Sequence, residues 1–273
     1  SGPAAGSPVD AERRLALVIG NFGYRDAPPR NAGNDADDMA DAPRALDFHV
    51  TLVKDADRDA MWQAIARFGD ALPEVGVGLL YYSGHGIQVD GKNYLVPLGA
   101  SFDNKGDVPF YAVPADLALE RMGDADNRLN IVILDACRNN PFQRRFRSVS
   151  RGLARMSPPA GAFLSYATAP GKVASDGVGD NSPFAAHLLR WMPEPGLRIE
   201  EVFKKARIGV KKDTKGKQIP WEASSLTGDF YFAPRYTGRA IDVAPPSAGV
   251  KRLSIRSDGI GKITIRERSV NPE

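Results

Sequence analysis

Val77-Gly78-Leu79-Leu80-Tyr81-Tyr82-Ser83-Gly84-His85-Gly86 reads as a buried strand that runs into a glycine-flanked histidine. An apolar run without polar alternation suits a strand covered on both faces, the usual state of strands in parallel sheets. Outward from this stretch the pattern repeats. Residues 15–19 form a short apolar run closed by Gly20, residues 48–53 read as the next strand, and residues 129–134 and 162–166 as the fourth and fifth. Between them, residues 35–46 place Met39, Ala42 and Leu46 at helical spacing with acidic residues on the other face, and residues 58–72 form the next helix. Residues 181–191 and 199–210 follow as helices, and residues 229–232 read as a last strand. Strands alternating with helices predict an α/β fold, a mainly parallel central sheet with helices on both faces.

In such sheets chemistry gathers outside the carboxyl ends of the strands. His85 stands just beyond the third strand, and the only cysteine, in Leu134-Asp135-Ala136-Cys137-Arg138, just beyond the fourth. A lone cysteine is by default a buried apolar filler; its place at a strand end on the histidine's edge argues for a nucleophile. The thiolate is the attacking form, and a reference pKa of about 8.5 leaves little of it at neutral pH, so a neighbouring base is needed. Cys137 and His85 form a sufficient dyad for acyl transfer. Gly84 and Gly86 let the backbone approach a substrate, and the backbone N–H groups of Gly86 and Cys137 are candidate oxyanion donors. His49 lies inside an apolar strand and reads as structural; His187 sits on a helix.

The chain has 273 residues, 42% hydrophobic and 25% charged, enough for one large domain and a small appendage. No apolar run approaches the roughly 18 to 20 residues of a membrane helix, so no membrane partner is expected. The formal charge of +3, from 36 basic and 33 acidic residues, does not demand a nucleic acid. One cysteine excludes an internal disulfide and a cysteine-rich metal site, and none of the histidines has metal-ligand spacing with it. Residues 1–13, rich in Pro, Gly, Ala and Ser at their start, read as a disordered lead-in, and the sequence leaves the compartment open between cytoplasm and, for a chain from which a signal peptide has been cut, periplasm. The catalytic domain is expected over 14–236. Residues 237–249, with Pro245-Pro246, read as a linker, and 250–273 as a β-ribbon or a fragment of a further module, with alternation around Asp258-Gly259 suggesting a hairpin.

Ser83-Gly84-His85-Gly86, followed about fifty residues later by Asp135-Ala136-Cys137-Arg138, resembles the caspase-like cysteine proteases. The branch most resembled is the prokaryotic metacaspase-like proteins, the orthocaspases. The resemblance covers roughly residues 14–233, including Leu17-Val18-Ile19-Gly20-Asn21, Asn34-Asp35-Ala36, Asn93-Tyr94-Leu95-Val96-Pro97 and Pro220-Trp221-Glu222. It implies a three-layer sandwich, with a large-subunit-like part to about 145 and a small-subunit-like part from about 160. Caspases carry Gln two residues before the nucleophile; here Asp135 stands there. Asp35 matches the second acidic pocket position of metacaspases, and Ser83 a third wall residue. Two carboxylates in a partly desolvated slot select a guanidinium or an ammonium, so the resemblance implies cleavage of protein or peptide substrates after Arg or Lys. Asp35 also fits a simpler role, an acid complementing the dipole at a helix start, in company with Asp37, Asp38 and Asp41.

Many metacaspases bind calcium through acidic residues after the catalytic histidine. The corresponding stretch, Ile87-Gln88-Val89-Asp90-Gly91-Lys92-Asn93, holds one acid, with Asp103 and Asp107 scattered beyond it, and so gives calcium activation no acidic cluster to rest on. No organic cofactor is implied, and a monomer is expected. The long segment 139–159 carries Arg144, Arg145, Arg147, Arg151 and Arg155, with Arg138 just before it. Its plain reading is a solvated loop; its functional reading is a site of self-cleavage by an enzyme with an acidic pocket. Two rival functions stand beside the protease. One is a catalytically silent module using the fold as a scaffold, which would have no need of both Cys137 and His85. The other is a nucleic-acid-associated protein using that loop with Lys204, Lys205, Lys211, Lys212, Lys215 and Lys217, which read more simply as a solvated helix end and turn.

Overall fold

A computed structural model of the chain describes residues 12–136, 152–235, 252–257 and 263–268. In chain order the elements are β1 (Arg14–Gly20), α1 (Ala32–Arg44), β2 (Phe48–Lys54), α2 (Arg58–Ala71), β3 (Val77–Gly84), β4 (Gly86–Val89), β5 (Lys92–Leu95), α3 (Val108–Tyr111), β6 (Val113–Pro114), α4 (Ala115–Asp124), β7 (Leu129–Ala136), β8 (Ala162–Tyr166), α5 (Pro183–Trp191), α6 (Ile199–Asp213) and β9 (Trp221–Ser224). A hairpin, β10 (Arg252–Ser257) and β11 (Ile263–Arg268), follows.

Six strands form the central sheet in the order β2-β1-β3-β7-β8-β9, parallel throughout except for β9, which runs antiparallel to β8. Every residue of β3, β7 and β8 is buried, as their unbroken apolar runs require. Alternate residues serve opposite layers. Leu79, Tyr81, Ile131, Ile133 and Phe163 pack with Met39 of α1, Phe184 of α5 and Phe203 of α6. Leu80, Tyr82, Val132, Leu134 and Leu164 pack with Met61 and Ile65 of α2 and Met122 of α4. This is the three-layer α/β sandwich expected. Complete burial of each such side chain contributes about 1.5–3 kcal/mol, so the two layers supply most of the favourable free energy of folding.

Two expectations are corrected. Residues 229–232 do not add a sheet strand: Tyr231 makes one isolated bridge with Arg198, and the sixth strand is β9. Arg14 explains the difference. Its guanidinium donates to the carbonyls of Phe232 (2.8 Å) and Tyr231 (3.3 Å) and lies 5.3 Å from the Phe230 ring, so a side chain takes two of the carbonyls that a neighbouring strand would otherwise pair. His49 is exposed on β2, which is an edge strand, and is not enclosed by its apolar neighbours.

Beyond His85 the chain makes a small antiparallel sheet, β4-β5-β6. The β4–β5 turn is Asp90-Gly91, with φ of +48° and +80°; two successive left-handed residues define the tight hairpin turn that Asp-Gly favours. The chain divides after Pro234; the second unit, Arg235–Glu273, contains the hairpin, in which Arg252 pairs with Arg268 and Ile255 with Ile265. The proposed linker, 237–249, lies outside the described residues, as do residues 1–11 of the lead-in.

Candidate active site

Strands β3 and β7 lie side by side in register to their carboxyl ends, Ser83 opposite Asp135 and Gly84 opposite Ala136. His85 is the first residue beyond β3, and Cys137 is the residue after Ala136. Cys137 and the candidate cleavage residues Arg144, Arg145, Arg147 and Arg151 lie outside the described residues.

His85 is buried and held from several sides. Its Nε2 lies 2.9 Å from the carbonyl oxygen of Ala27. A carbonyl only accepts, so Nε2 carries the proton and the neutral ring has its lone pair on Nδ1. Ala27 has a φ of +50°, a left-handed conformation that costs a non-glycine residue about 1 kcal/mol or more and is tolerated where the surrounding structure imposes it. The His85 carbonyl accepts from the Tyr82 hydroxyl (2.8 Å) and from Val96 N–H (3.0 Å), so the backbone is pinned where β3 ends. Gly84 has a local reason to be glycine: a Cβ there would lie 2.7 Å from the Tyr82 hydroxyl and 3.0 Å from that of Tyr24. Gly86 opens β4 opposite Leu95.

The acidic pair comes together from elements far apart in sequence. Asp135 follows Ile131 and Ile133 by the two-residue period of the strand and so faces the layer of α1 and α5. Asp35, in the first turn of α1, belongs to that layer, and both acids are fully buried. Ser182 joins them. Its N–H donates to Asp35 Oδ1 (2.8 Å), and its hydroxyl donates to Asp135 Oδ2 (2.6 Å), which also accepts from the Tyr81 hydroxyl (3.2 Å). The same serine caps α5, accepting from Ala185 N–H, with Pro183 in the first helical turn. Sequence reasoning did not single out Ser182. Ser83, on the same strand face as Tyr81, is buried with its hydroxyl unpartnered among the described residues.

Asp35 differs from the other acids of α1 in its surroundings. Asp37 pairs with Lys54, Asp41 with Arg44, and Asp38 accepts from Asn181, all on exposed ground, whereas Asp35 alone of the four is buried and turned toward Ser182. The segment that carries Ser182 is tied to α1 by Asn31, whose side chain donates to the Asp176 carbonyl (2.6 Å), and by Asn34, which donates to that of Asp180 (3.1 Å).

The remaining candidates scatter. Arg155 is exposed in a docked segment: Ala154 exchanges two hydrogen bonds with the buried side chain of Asn93 (2.6 and 2.8 Å), and Met156 N–H donates to the Tyr166 hydroxyl (3.1 Å). Asp90 pairs with Lys105 (3.2 Å), while Asp107 accepts from the backbone N–H groups of Asp103 and Asn104. Among the described residues, no group of three or more His, Cys, Asp or Glu is placed to hold a metal ion, and no helix is long and apolar enough to cross a membrane. His187 pairs with Asp213 between α5 and α6, apart from the acids and His85.

Comparison with known proteins gives one family and two relatives. The family model of the caspase domain matches residues 13–231. The human (Homo sapiens) mucosa-associated lymphoid tissue lymphoma translocation protein 1 is 32% identical over 129 residues, 47% of this chain and 15% of that protein. The Mus musculus homolog is 31% identical over 134 residues, 49% of this chain and 16% of its own length. The chain thus spans only a small part of the length of either relative.

Proposed function

The chain belongs to the caspase-domain family of cysteine proteases, and from that premise we propose that it is an endopeptidase cleaving after Arg or Lys, with Cys137 as nucleophile and His85 as general acid and base. The observation that supports the proposal is the shared register of β3 and β7, whose paired last residues, Gly84 and Ala136, immediately precede His85 and Cys137 in the sequence. The Cys137 thiol gives its proton to His85 Nδ1, and the thiolate adds to the carbonyl carbon of the scissile peptide. Negative charge then develops on the carbonyl oxygen, where the Gly86 and Cys137 N–H groups receive it. As the C–N bond breaks, the His85 imidazolium protonates the leaving amine. Water, losing a proton to the neutral imidazole, attacks the resulting thioester and releases the acid and the free thiol.

Asp35 and Asp135 supply the charge that receives the side chain before the scissile bond, with Ser83 as a wall residue. Ser182 is hydrogen-bonded to one oxygen of each carboxylate and so fixes both, and a carboxylate so held can take a planar guanidinium by two parallel hydrogen bonds. With this preference, the arginines at 144, 145, 147 and 151 are within the enzyme's own specificity, and cleavage there is part of the proposal. At Arg155 both flanking residues are hydrogen-bonded to the body of the domain, which opposes its entry into an active site.

Purified protein with fluorogenic peptides ending in Arg, Lys or Asp tests the proposal. Turnover of the first two and none of the third is expected; turnover of the Asp peptide, or of none across pH and calcium, would sink it. Ser182→Ala is expected to cost about 0.5–2 kcal/mol of stability as a lost helix cap and about tenfold or more in kcat/KM for the Arg peptide as a lost orienting donor. Denaturant midpoints and steady-state kinetics separate the two effects. A variant less stable but equally active would confine Ser182 to capping.

A further inference from the structure

Tyr24 belongs neither to the dyad nor to the acidic pair, yet it is the aromatic neighbour of His85. Its ring lies against the imidazole with centroids 4.4 Å apart and planes inclined by 45°. Its hydroxyl donates to the Val96 carbonyl (2.7 Å) and accepts the His85 N–H (3.3 Å). Val96 in turn donates its N–H to the His85 carbonyl, so one hydroxyl bridges both residues of the backbone junction on which the imidazole is mounted. Tyr82 Oη, 3.4 Å away, supports the same junction from the sheet.

The loop carrying Tyr24 is itself anchored. Asp55 Oδ1 accepts from the N–H groups of Phe22 (2.9 Å) and Gly23 (2.8 Å), and Asn21 ties the end of β1 to Ala56 and Val96. Burial pushes the Tyr24 hydroxyl up to about 12, with the Tyr82 hydrogen bond opposing and the Asp55 charge adding to the rise. The hydroxyl therefore stays neutral through the working range and remains both donor and acceptor.

The hydrogen bond from Nε2 to Ala27 fixes one atom of the imidazole, and the Tyr24 ring, packed against it at 4.4 Å, bears on its tilt. We propose that Tyr24 is a positioning residue for His85: its ring sets the plane of the imidazole, while the backbone from which the imidazole projects is held by Tyr82 as well. This rests on the reading of His85 as general base. It has an electrostatic corollary, because the imidazolium formed during turnover lies within about 6 Å of a π face and is stabilised there.

Two variants of the full chain test this, each followed by kinetics on the Arg peptide and by NMR titration of His85, one of only three histidines in the chain. Tyr24→Phe keeps the ring, and Tyr82 still donates to the His85 carbonyl; kcat is expected to remain within about threefold of wild type. Tyr24→Leu removes the ring; kcat is expected to fall about tenfold or more with KM within about twofold, and His85 to titrate at lower pH than in wild type. A folded Tyr24→Leu chain with unchanged kcat and unchanged His85 titration overturns the proposal. If that variant does not fold, Tyr24→Phe decides alone: retention supports the role of the ring, and a loss beyond tenfold overturns it. The titration is read without substrate, so it stands apart from the dyad. Wild-type turnover in His85→Ala would instead remove the reading on which the inference rests.

Discussion

Cys137→Ala is expected to lower kcat/KM on an Arg-terminated peptide by at least about a thousandfold, to the assay floor, with the thermal unfolding profile intact. No other thiol exists in the chain to replace it. His85→Ala should cost a comparable factor, because a thiol near its ordinary pKa is a poor nucleophile and the departing amine then lacks its acid. Since the two side chains act as a unit, the double variant should be scarcely worse than either single one. Losses that multiply in the double variant would mean that the residues act separately, and turnover unaffected by Cys137→Ala would place the nucleophile elsewhere.

Asp135→Ala is expected to reduce kcat/KM for Arg and Lys peptides by about a hundredfold to a thousandfold. A buried cation that loses its partner costs about 3–5 kcal/mol, and each 1.4 kcal/mol is a factor of ten. Asp135→Asn separates charge from shape. Its amide oxygen can still accept from Ser182 and Tyr81, the two hydroxyls now on Asp135, so stability should be kept while Arg cleavage falls nearly as far. Arg substrates should suffer more than Lys substrates, since only the guanidinium can use a paired carboxylate bidentately. Steady-state kinetics with matched Arg and Lys peptides, alongside denaturant midpoints, checks each part. An Asp135→Asn chain that cuts both at wild-type rates would put the pocket somewhere other than between Asp35 and Asp135.

The parts of the fold legible in the sequence are those written in local periodicity. β3 and β7 show as continuous apolar runs because both of their faces are covered, and α1, α2 and α6 show as apolar positions at helical spacing with polar outer faces. β9 is illegible for the opposite reason: Trp221-Glu222-Ala223-Ser224 lies at the sheet edge, half exposed, and becomes a strand by pairing with β8. Residues 229–232 carry the aromatic alternation of a strand, but Phe230 and Phe232 stack edge-on at 5.1 Å while Arg14, more than two hundred residues earlier, takes the carbonyls. The Asp90-Gly91 hairpin is written in its dipeptide between short apolar runs, a local turn cue of the same kind.

The candidate site divides in the same way. His85, Asp135 and Ser83 stand at strand ends, where sequence position alone places them at the edge. Asp35 was singled out by the resemblance at Asn34-Asp35-Ala36 and by no local pattern, and burial sets it apart from the three acids beside it on α1. Ser182 had a local signal, a serine followed by proline at a helix start, which also sets the start of α5 at Pro183. Its bonds to Asp35 and Asp135 are contacts across the chain that no local pattern encodes. Tyr24 and Ala27 reach His85 in the same non-local way, through a loop after β1.

One measurement reaches nucleophile and pocket together: the cleavage-site profile of the purified chain against a peptide library, with the Cys137→Ala chain as blank. Arg and Lys directly before every cut, and no cuts in the blank, are expected. Asp in that position, or a profile that persists without the thiol, would contradict a Cys137 nucleophile served by an acidic pocket.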